Sequence, residues 1–219
     1  MPPGPQPVSR KASADDQRRR ILRATAELMA KRGYQGTTTE LIVRRAKVGY
    51  STFYKLFGDK EGVLVALFDQ AAEQGRDVVA RAYRETPGTW AQRVAVAVKV
   101  LFEQIAANPT VARVCLVEAL TAGPVMAARY EQALSSFEPL LSPGRELNSR
   151  GPELPQSLEK TLAGGVLWLA YQRLILGEAE KLLELLPEAV EFVLSPYVGE
   201  AEAVRTADEL VHDSAGAPA

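Results

Sequence analysis

The side chains best suited to binding chemistry are concentrated in residues 38–60. Hydroxyl, phenol, ammonium and guanidinium groups recur in this stretch, and no acidic residue lies between Lys47 and Gly58. Such groups donate hydrogen bonds to phosphate oxygens and base edges, so their concentration favours contact with a polyanion. Together with one glycine, the candidate contact residues are Thr38, Thr39, Arg44, Arg45, Lys47, Gly49, Tyr50, Ser51, Thr52, Tyr54, Lys55 and Lys60.

Two short helical patterns carry these side chains. The first has apolar residues at 41–43 and Ala46 one turn later, and the second has Phe53, Leu56 and Phe57. A tight break at residues 46–49 separates the two patterns. Two helices joined by such a turn are typical of a helix-turn-helix, whose second helix enters the major groove of DNA.

The second of these helices divides into two faces. At about 100° per residue, Phe53, Leu56 and Phe57 cluster on one side. Ser51 and Lys55 point almost opposite to them. One side can therefore anchor the helix to its own domain while the other meets bases. An ordinary amphipathic helix with a solvated polar face is the alternative that this pattern leaves open.

Charge is distributed unevenly along the 219 residues. Residues 10–60 contain 13 Lys and Arg against 5 Asp and Glu, a net charge of +8, and the rest contain 13 against 22, a net charge of −9. A basic N-terminal piece on an acidic body fits a domain that binds a polyanion, joined to a domain that does not. A solvated basic face is the alternative, although the excess coincides with the predicted helix-turn-helix.

The run from Val48 to Glu61, VGYSTFYKLFGDKE, resembles the DNA-binding signature of the TetR family of transcriptional regulators. Four positions depart from the residues that are usual in that signature. Lys47 occupies a turn position where glycine is usual, which predicts left-handed backbone strain, and Gly49 replaces the usual serine cap. Tyr50 and Ser51 also differ from the commoner residues, so the operator sequence cannot be taken from a relative. The resemblance covers about residues 16–65, and upstream it includes Ile21, Leu22, Ala24, Ala26, Leu28, Gly33, Tyr34, Thr37 and Thr38.

The resemblance implies an all-α fold, with an N-terminal three-helix helix-turn-helix head joined to a larger helical ligand-binding and dimerisation domain. We expect a disordered arm at residues 1–14, the head at 15–62, the effector-binding and dimerisation domain at 63–210 and a frayed tail at 211–219. The resemblance also implies a homodimer on a near-palindromic operator in double-stranded DNA. A repressor released by a small, apolar effector is the corresponding function, and no cofactor is expected.

The second domain carries weaker signals. The sequence predicts helices over residues 111–120, 125–141 and 158–176, and a last long helix that begins at Pro187 and bends at Pro196. Gly164 and Gly165 each cost a helix about 1 kcal/mol, which a close approach of another helix can offset. An internal core contact explains them as well as the two-fold helix pairing that the resemblance implies.

Polar groups among aromatic and apolar residues are candidates for the wall of an effector cavity, with ordinary packing as the alternative for each. These residues are Phe102, Glu118, Met126, Arg129, Tyr130, Trp168, Tyr171 and Gln172.

The remaining residue types argue against several other classes of protein. One cysteine, Cys115, and one histidine, His212, exclude an intrachain disulfide and argue against a metal site built from these two residue types. We find no nucleophile–base set, phosphate loop or dinucleotide fingerprint, so an enzyme is not expected. Without a signal peptide or an apolar run long enough to span a membrane, the expected location is the cytoplasm. Two alternatives stay open: a DNA-binding protein without ligand response, and a carrier or enzyme with an incidental helix-turn-helix.

Overall fold

The computed structural model describes the backbone of residues 7–215 and the side chains of residues 13–212. These residues form helices and connecting turns without a strand, which confirms the predicted all-α class. The helices are α1 (Pro7–Arg32), α2 (Thr39–Ala46), α3 (Tyr50–Phe57), α4 (Lys60–Glu85), α5 (Trp90–Ala107), α6 (Pro109–Arg113), α7 (Pro124–Ser135), α8 (Glu138–Leu141), α9 (Leu158–Leu176), α10 (Leu186–Val198) and α11 (Glu200–Ala215).

Both ends of the described chain are more helical than the sequence predicts. Helix α1 already begins at Pro7, so residues 7–14 of the expected arm are its first turns. Residues 1–6 lie outside the described part. Helix α11 continues to Ala215, so most of the expected frayed tail is helical, and residues 216–219 lie outside the description.

Local signals in the sequence begin and end the helices of the head. The hydroxyl of Thr38 accepts a hydrogen bond from the backbone N–H of Leu41 at 3.3 Å and caps α2. The carboxylate of Asp59 accepts from the N–H of Gly62 at 2.7 Å and caps α4. Apolar side chains from α1 to α4 then meet in one core, and its members without solvent exposure are Ile21, Met29, Ile42, Phe53, Val63 and Leu64.

The head core does not end at the head. Val114, Cys115, Ala119 and Met126, far along the chain, are buried in the same apolar cluster as α1–α4. The backbone here leaves α-helical geometry: a π-helical turn spans Val114–Glu118, and a 3₁₀ turn spans Ala119–Thr121. The prediction of one continuous helix over residues 111–120 therefore misses a local distortion, of the kind that often occurs at functional positions.

The second domain packs α5, α9, α10 and α11 around a separate apolar core. Two predicted helices are broken there. The helix predicted over residues 125–141 is interrupted by a turn at Ser136 and Phe137. The last helix is divided at Gly199, whose φ of +83° lies outside helical geometry, whereas Pro196 is accommodated inside α10. Helix α9 has the bounds that the sequence predicts.

A buried carboxylate fastens α9 to its neighbours. Glu159, 5% exposed, accepts two hydrogen bonds from the Arg145 guanidinium at 2.7 and 2.8 Å and one from the Tyr197 hydroxyl at 3.1 Å. The same guanidinium donates to the backbone carbonyl oxygens of Leu154 and Pro155 at 3.0 and 2.6 Å. Hydrogen bonding from Arg145 lowers the pKa of Glu159 below its usual range of about 4.5, despite the opposing effect of burial.

Glu159→Gln should reduce stability at neutral pH and matter less in acid. A carboxyl group whose pKa is lowered by folding contributes stability above its unfolded pKa and loses it as the pH falls through the folded pKa. We expect Glu159→Gln to lower the free energy of unfolding by about 2 kcal/mol at pH 7, and the gap to wild type to narrow below about pH 4. Urea unfolding at several pH values measures the free-energy difference at pH 7 and its change in acid.

Glu153→Gln is the matched control, because Glu153 pairs with Arg150 at 2.8 Å on an exposed surface. Its effect should stay within about 0.5 kcal/mol. A loss for Glu159→Gln that is equally large at pH 7 and pH 3 would contradict the assigned role of the charged carboxylate.

Candidate nucleic-acid interface and ligand cavity

Helix α3 has the two faces that its sequence predicts. Phe53 is fully buried in the head core, whereas Ser51 and Lys55 on the opposite side are exposed. Tyr50 and Tyr54, 49% and 52% exposed, stand beside them with ring centroids 6.5 Å apart. Hydroxyl, phenol and ammonium groups thus form one outward face without a carboxylate on α3. Such a face can donate hydrogen bonds to base edges and phosphates.

The turn before α3 confirms the predicted strain. Lys47 has φ of +54°, and it is the only non-glycine residue with positive φ in the described part of the chain. The Arg20 guanidinium on α1 donates to the carbonyl oxygens of Ala46 and Lys47, both at 3.2 Å, and holds this turn against α1. Gly49 then begins α3 without a side-chain cap. The orientation of α3 is therefore fixed by its buried face and by Arg20 more than by its own cap.

Two of the predicted phosphate contacts have partners inside the head. Arg45 on α2 forms an ion pair with Glu27 at 2.6 Å, and hydrogen bonding from Arg45 is the main cause that lowers the pKa of Glu27. The ammonium of Lys60 donates to the carbonyl oxygen of Tyr34 at 2.9 Å and lies 4.0 Å from the centre of its ring. Sequence reasoning gave Lys60 no partner in the chain, because Tyr34 is 26 residues away. Arg44 is exposed, and Thr39 and Thr52 are half-buried.

The second domain contains a cavity of about 220 Å³. Buried apolar side chains such as Ile105, Leu116 and Leu167 line it, and the exposed residues Gln104 and Asn108 stand at its rim. Protein interiors contain few voids larger than a water molecule, so a space of this size is suited to a small ligand. The remaining lining residues are Phe68, Ala71, Ala72, Gln74, Gly75, Arg76, Leu101, Val111, Ala112, Cys115, Tyr130, Ala133, Ser136 and Phe137.

Of the eight residues predicted for an effector cavity, Tyr130 lines it. Burial raises the pKa of its phenol, which is therefore a neutral donor at physiological pH. Phe102 and Met126 are fully buried in the cores. The other five do not line this cavity. Glu118 accepts a hydrogen bond from the head, Arg129 pairs with Asp69 at 2.7 Å, and the rings of Trp168 and Tyr171 stack on α9 with centroids 4.9 Å apart. Gln172 is exposed on the same helix.

Sequence reasoning missed most of the cavity wall because its residues look like ordinary core positions. Phe68, Ala71, Ala72 and Gly75 recur at helical spacing on α4, and Leu101, Gln104, Ile105 and Asn108 do so on α5. The available signal was the run of small residues on α4. Alanine and glycine at inward positions leave space that leucine would fill.

The thiol of Cys115 touches both the head core and the cavity wall. Burial raises its pKa to about 12, so it is a protonated, apolar group at neutral pH, as the prediction of a core thiol requires.

One hydrogen bond joins the π-helical turn to the head. The carboxylate of Glu118 accepts from the backbone N–H of Tyr34 at 3.0 Å. Gly33, with φ of +74°, lets the chain approach so closely that a Cβ there would lie 3.1 Å from the same carboxylate oxygen. The carbonyl of Tyr34 also accepts a hydrogen bond from Lys60 at the start of α4. Tyr34 therefore links α4 and the rest of the head to the second domain.

Glu118→Ala should expose the Tyr34 amide to hydrogen exchange. The variant removes the acceptor, and hydrogen bonds to charged groups contribute about 1.5–3 kcal/mol, so exchange should accelerate about tenfold or more. Glu118→Gln retains an amide oxygen and should keep most of the protection. Exchange followed by nuclear magnetic resonance measures both.

The Gly62 amide, capped by Asp59, serves as the internal reference and should exchange at the same rate in all three proteins. Unchanged Tyr34 protection in Glu118→Ala would show that this bond does not hold the junction in solution.

No group of three or more His, Cys, Asp or Glu side chains among the described residues is arranged to hold a metal ion. No single helix in residues 7–215 is long and apolar enough to cross a membrane; α5 and the segment 109–121 reach that length only as a pair bent by 99°.

The fold and the exposed face of α3 define a helix-turn-helix protein whose basic head is carried on a larger helical domain. Residues 21–67 match the family model described as bacterial regulatory proteins, tetR family. This segment is therefore similar to the DNA-binding domain of the TetR family, as the resemblance of residues 48–61 implies.

Known proteins are similar to the head in sequence and to most of the chain in fold. An uncharacterised HTH-type transcriptional regulator, YvkB of Bacillus subtilis (strain 168), is 40% identical over 52 residues, which are 24% of this chain and 28% of that protein. The fatty acid degradation regulator FadR from Bacillus halodurans superposes with a TM-score of 0.72 at 21% identity, over 81% of this chain and 94% of its own. The transcriptional regulator FadR from Bacillus subtilis, solved in complex with stearoyl-CoA, superposes with a TM-score of 0.68 at 19% identity, over 81% of this chain and 97% of its own.

Proposed function

We propose that the protein is a DNA-binding transcriptional regulator, a cytoplasmic repressor that a small molecule with a mainly apolar body releases from its operator. The observation that carries this proposal is the outward face of α3, where Tyr50, Ser51, Tyr54 and Lys55 are exposed, within the segment 10–60 of net charge +8. That face has the width of a single helix, as entry into the major groove requires. The similarity of residues 21–67 to bacterial regulatory proteins supports the same assignment.

The contact residues fall into two groups by position. Ser51 and Lys55, on the outward face of α3, are our candidates for contacts with base edges. Thr38 and Arg44, near the two ends of α2, are our candidates for contacts with phosphates. Arg45 and Lys60 contribute mainly by holding the head together, since each already has an internal partner.

Lys55→Ala should weaken operator binding and change its sequence preference. A lost base contact is worth about 1–3 kcal/mol. Genomic fragments selected by the wild-type protein supply the operator, and binding is then measured against operator variants at several salt concentrations. Wild-type affinity should fall steeply with salt, with a log–log slope of about −0.9 for each phosphate contact.

Lys31→Ala removes the same charge from an exposed position at the end of α1 and is the matched control. It should leave sequence preference intact. Salt-independent binding would refute the phosphate contacts, and a Lys55→Ala protein with unchanged affinity and preference would refute the placement of α3.

We further propose that α9 and α10 form the surface on which two copies pair. Trp168, Ile175 and Leu176 on α9 and Phe192 on α10 are large apolar side chains between 43% and 67% exposed. A surface of this composition favours association with another protein surface. Two-fold pairing would present two copies of α3 to a near-palindromic operator.

The two glycines of α9 have different roles in this arrangement. A Cβ on Gly165 would lie 2.5 Å from the ring of Phe192, so Gly165 serves a close contact within the chain. A Cβ on Gly164 would meet nothing within 4 Å. Gly164 is thus the position where a larger side chain tests pairing without disturbing the fold of one copy.

Gly164→Leu should disrupt the dimer while preserving the monomer. In an exposed helix, leucine is favoured over glycine by about 1 kcal/mol, so the isolated fold should not suffer, whereas a close helix pair would be overpacked by about 1–3 kcal/mol. Light scattering and operator binding on the same samples measure both effects. Operator affinity should fall although no DNA-facing residue has changed.

Gly164→Ala, with a far smaller increase in volume, is the control and should remain dimeric. Trp168→Glu is a second disruptive variant, because it introduces an unpaired charge into the same surface. If Gly164→Leu and Trp168→Glu both remain dimeric, the interface lies on another surface. A wild-type protein that binds its palindromic operator tightly as a monomer would refute pairing.

The proposed release of DNA follows from the position of the cavity. Cys115 and Leu116, which line the cavity, belong to the same π-helical turn as Glu118, whose carboxylate binds Tyr34 in the head. A ligand that displaces this turn would move Glu118 and change the orientation of the head. The fold shared with a FadR that was solved with stearoyl-CoA supports a ligand in this domain.

A further inference from the structure

The cavity in the second domain has a polar end and an apolar end. Its exposed polar residues, Gln74, Arg76, Gln104 and Asn108, lie toward solvent on α4 and α5. Arg76 contributes a guanidinium, whose neighbour Asp77 is 3.4 Å away on an exposed surface. The rest of the wall is mostly apolar and includes the buried side chains of Ile105 and Leu167, with the half-buried Tyr130 and Ser136 as its other polar groups. A bound molecule would therefore place its polar group near the rim and its apolar part inside.

A second, smaller cavity of about 50 Å³ adjoins the first. All twelve residues that line it are apolar, and Leu101, Phe137 and Leu167 line both cavities. These three side chains are thus the partition between the two spaces. Empty apolar cavities of this kind stay dry and accept apolar ligands.

Two of these three side chains, Phe137 and Leu101, are only half-buried, whereas Leu167 is buried. Phe137 lies in the turn between α7 and α8, outside both helices, and its side chain is half-buried. On the far side of the partition the small residues Ala97 and Ala163 leave the second space open. A rotamer change of Phe137 or Leu101 would join the two cavities into one narrow, elongated channel, because side chains change rotamers at little energetic expense compared with helix movement.

We propose that the effector is an unbranched amphiphile: a single alkyl chain that bears an anionic or strongly hydrogen-bonding head. The polar group of this ligand lies at the cavity rim by Arg76, Gln104 and Asn108, and its alkyl chain passes between the partition residues into the second cavity. A broad, rigid ring system would fill the first cavity but could not enter the second. This inference rests on the proposed function only in taking the cavity as the effector site.

Straight-chain carboxylates from butanoate to dodecanoate are the probes, titrated calorimetrically into the full-length wild-type protein below their micelle concentrations. Each added methylene should tighten binding about fourfold until the chain fills both cavities, after which affinity levels off. The corresponding primary alcohols separate the contribution of the alkyl chain from that of the anionic group. They should bind more weakly than the carboxylates but show the same dependence on chain length. Arg76→Gln should weaken the carboxylates and leave the alcohols unchanged.

Ala97→Leu fills the second cavity and locates the chain. The affinity of this variant for long carboxylates should fall at least tenfold, while its affinity for short carboxylates stays unchanged. Affinity should therefore level off at a shorter chain length than in wild type. Ala163→Leu, on a different helix, should have the same effect and is the variant to use if Ala97→Leu does not fold. Ala128→Leu, on the exposed side of α7, is the matched control.

Binding that is independent of chain length, or equal losses at all lengths in both filled variants, would overturn the inference. If wild type and Arg76→Gln bound carboxylates with equal affinity, and neither protein preferred carboxylates to alcohols, the contact of the ligand's polar group with Arg76 would be refuted. Operator binding by the ligand-free protein is measured in parallel and tests the proposed function separately. A protein that binds its operator but shows no dependence on chain length refutes the amphiphile alone.

Discussion

The structure depends on one apolar core that the head shares with the π-helical turn. Val114, Cys115 and Ala119 lie more than fifty residues beyond α3, yet they are buried with the side chains of α1 and α4. Burial of several such side chains, at about 1.5–3 kcal/mol for each large one, joins the head to the second domain more firmly than a linker could. Movement of either part must therefore repack this shared core.

This arrangement gives the π-helical turn two surfaces. Val114 faces the head and is fully buried, while Leu116 faces the cavity and Cys115 contacts both. A regular helix would present these residues at fixed 100° intervals, whereas the wider π turn redistributes them. The Glu118 carboxylate, at the end of the turn, then reaches the backbone of Tyr34. A change in the cavity is thus one helical turn away from a contact that orients the head.

Helix α3 illustrates how a binding surface departs from the rules for stability. It begins without a side-chain cap, follows a residue with φ of +54° and exposes two tyrosine rings. Each feature is unfavourable for an isolated helix, and the buried face of Phe53 with the hydrogen bonds from Arg20 offsets them. Left-handed strain at a non-glycine residue persists only where the surroundings enforce it. Here the surroundings are α1 and the head core.

Sequence patterns predict the all-α class, the helix-turn-helix, the two faces of α3, the strain at Lys47 and the bounds of α9. These features depend on contacts within one or two helical turns, where periodicity, caps and glycines act directly. Tertiary packing alone accounts for the π-helical turn, the cavity wall, the pairing of Lys60 with Tyr34 and the contact of Gly165 with Phe192. The turn lies where the head core meets the cavity wall, and the other three features bring together residues that are distant in the chain. Their helical spacing is the same whether they meet a core, a cavity or a partner, so the distinction arises only from how the helices pack together.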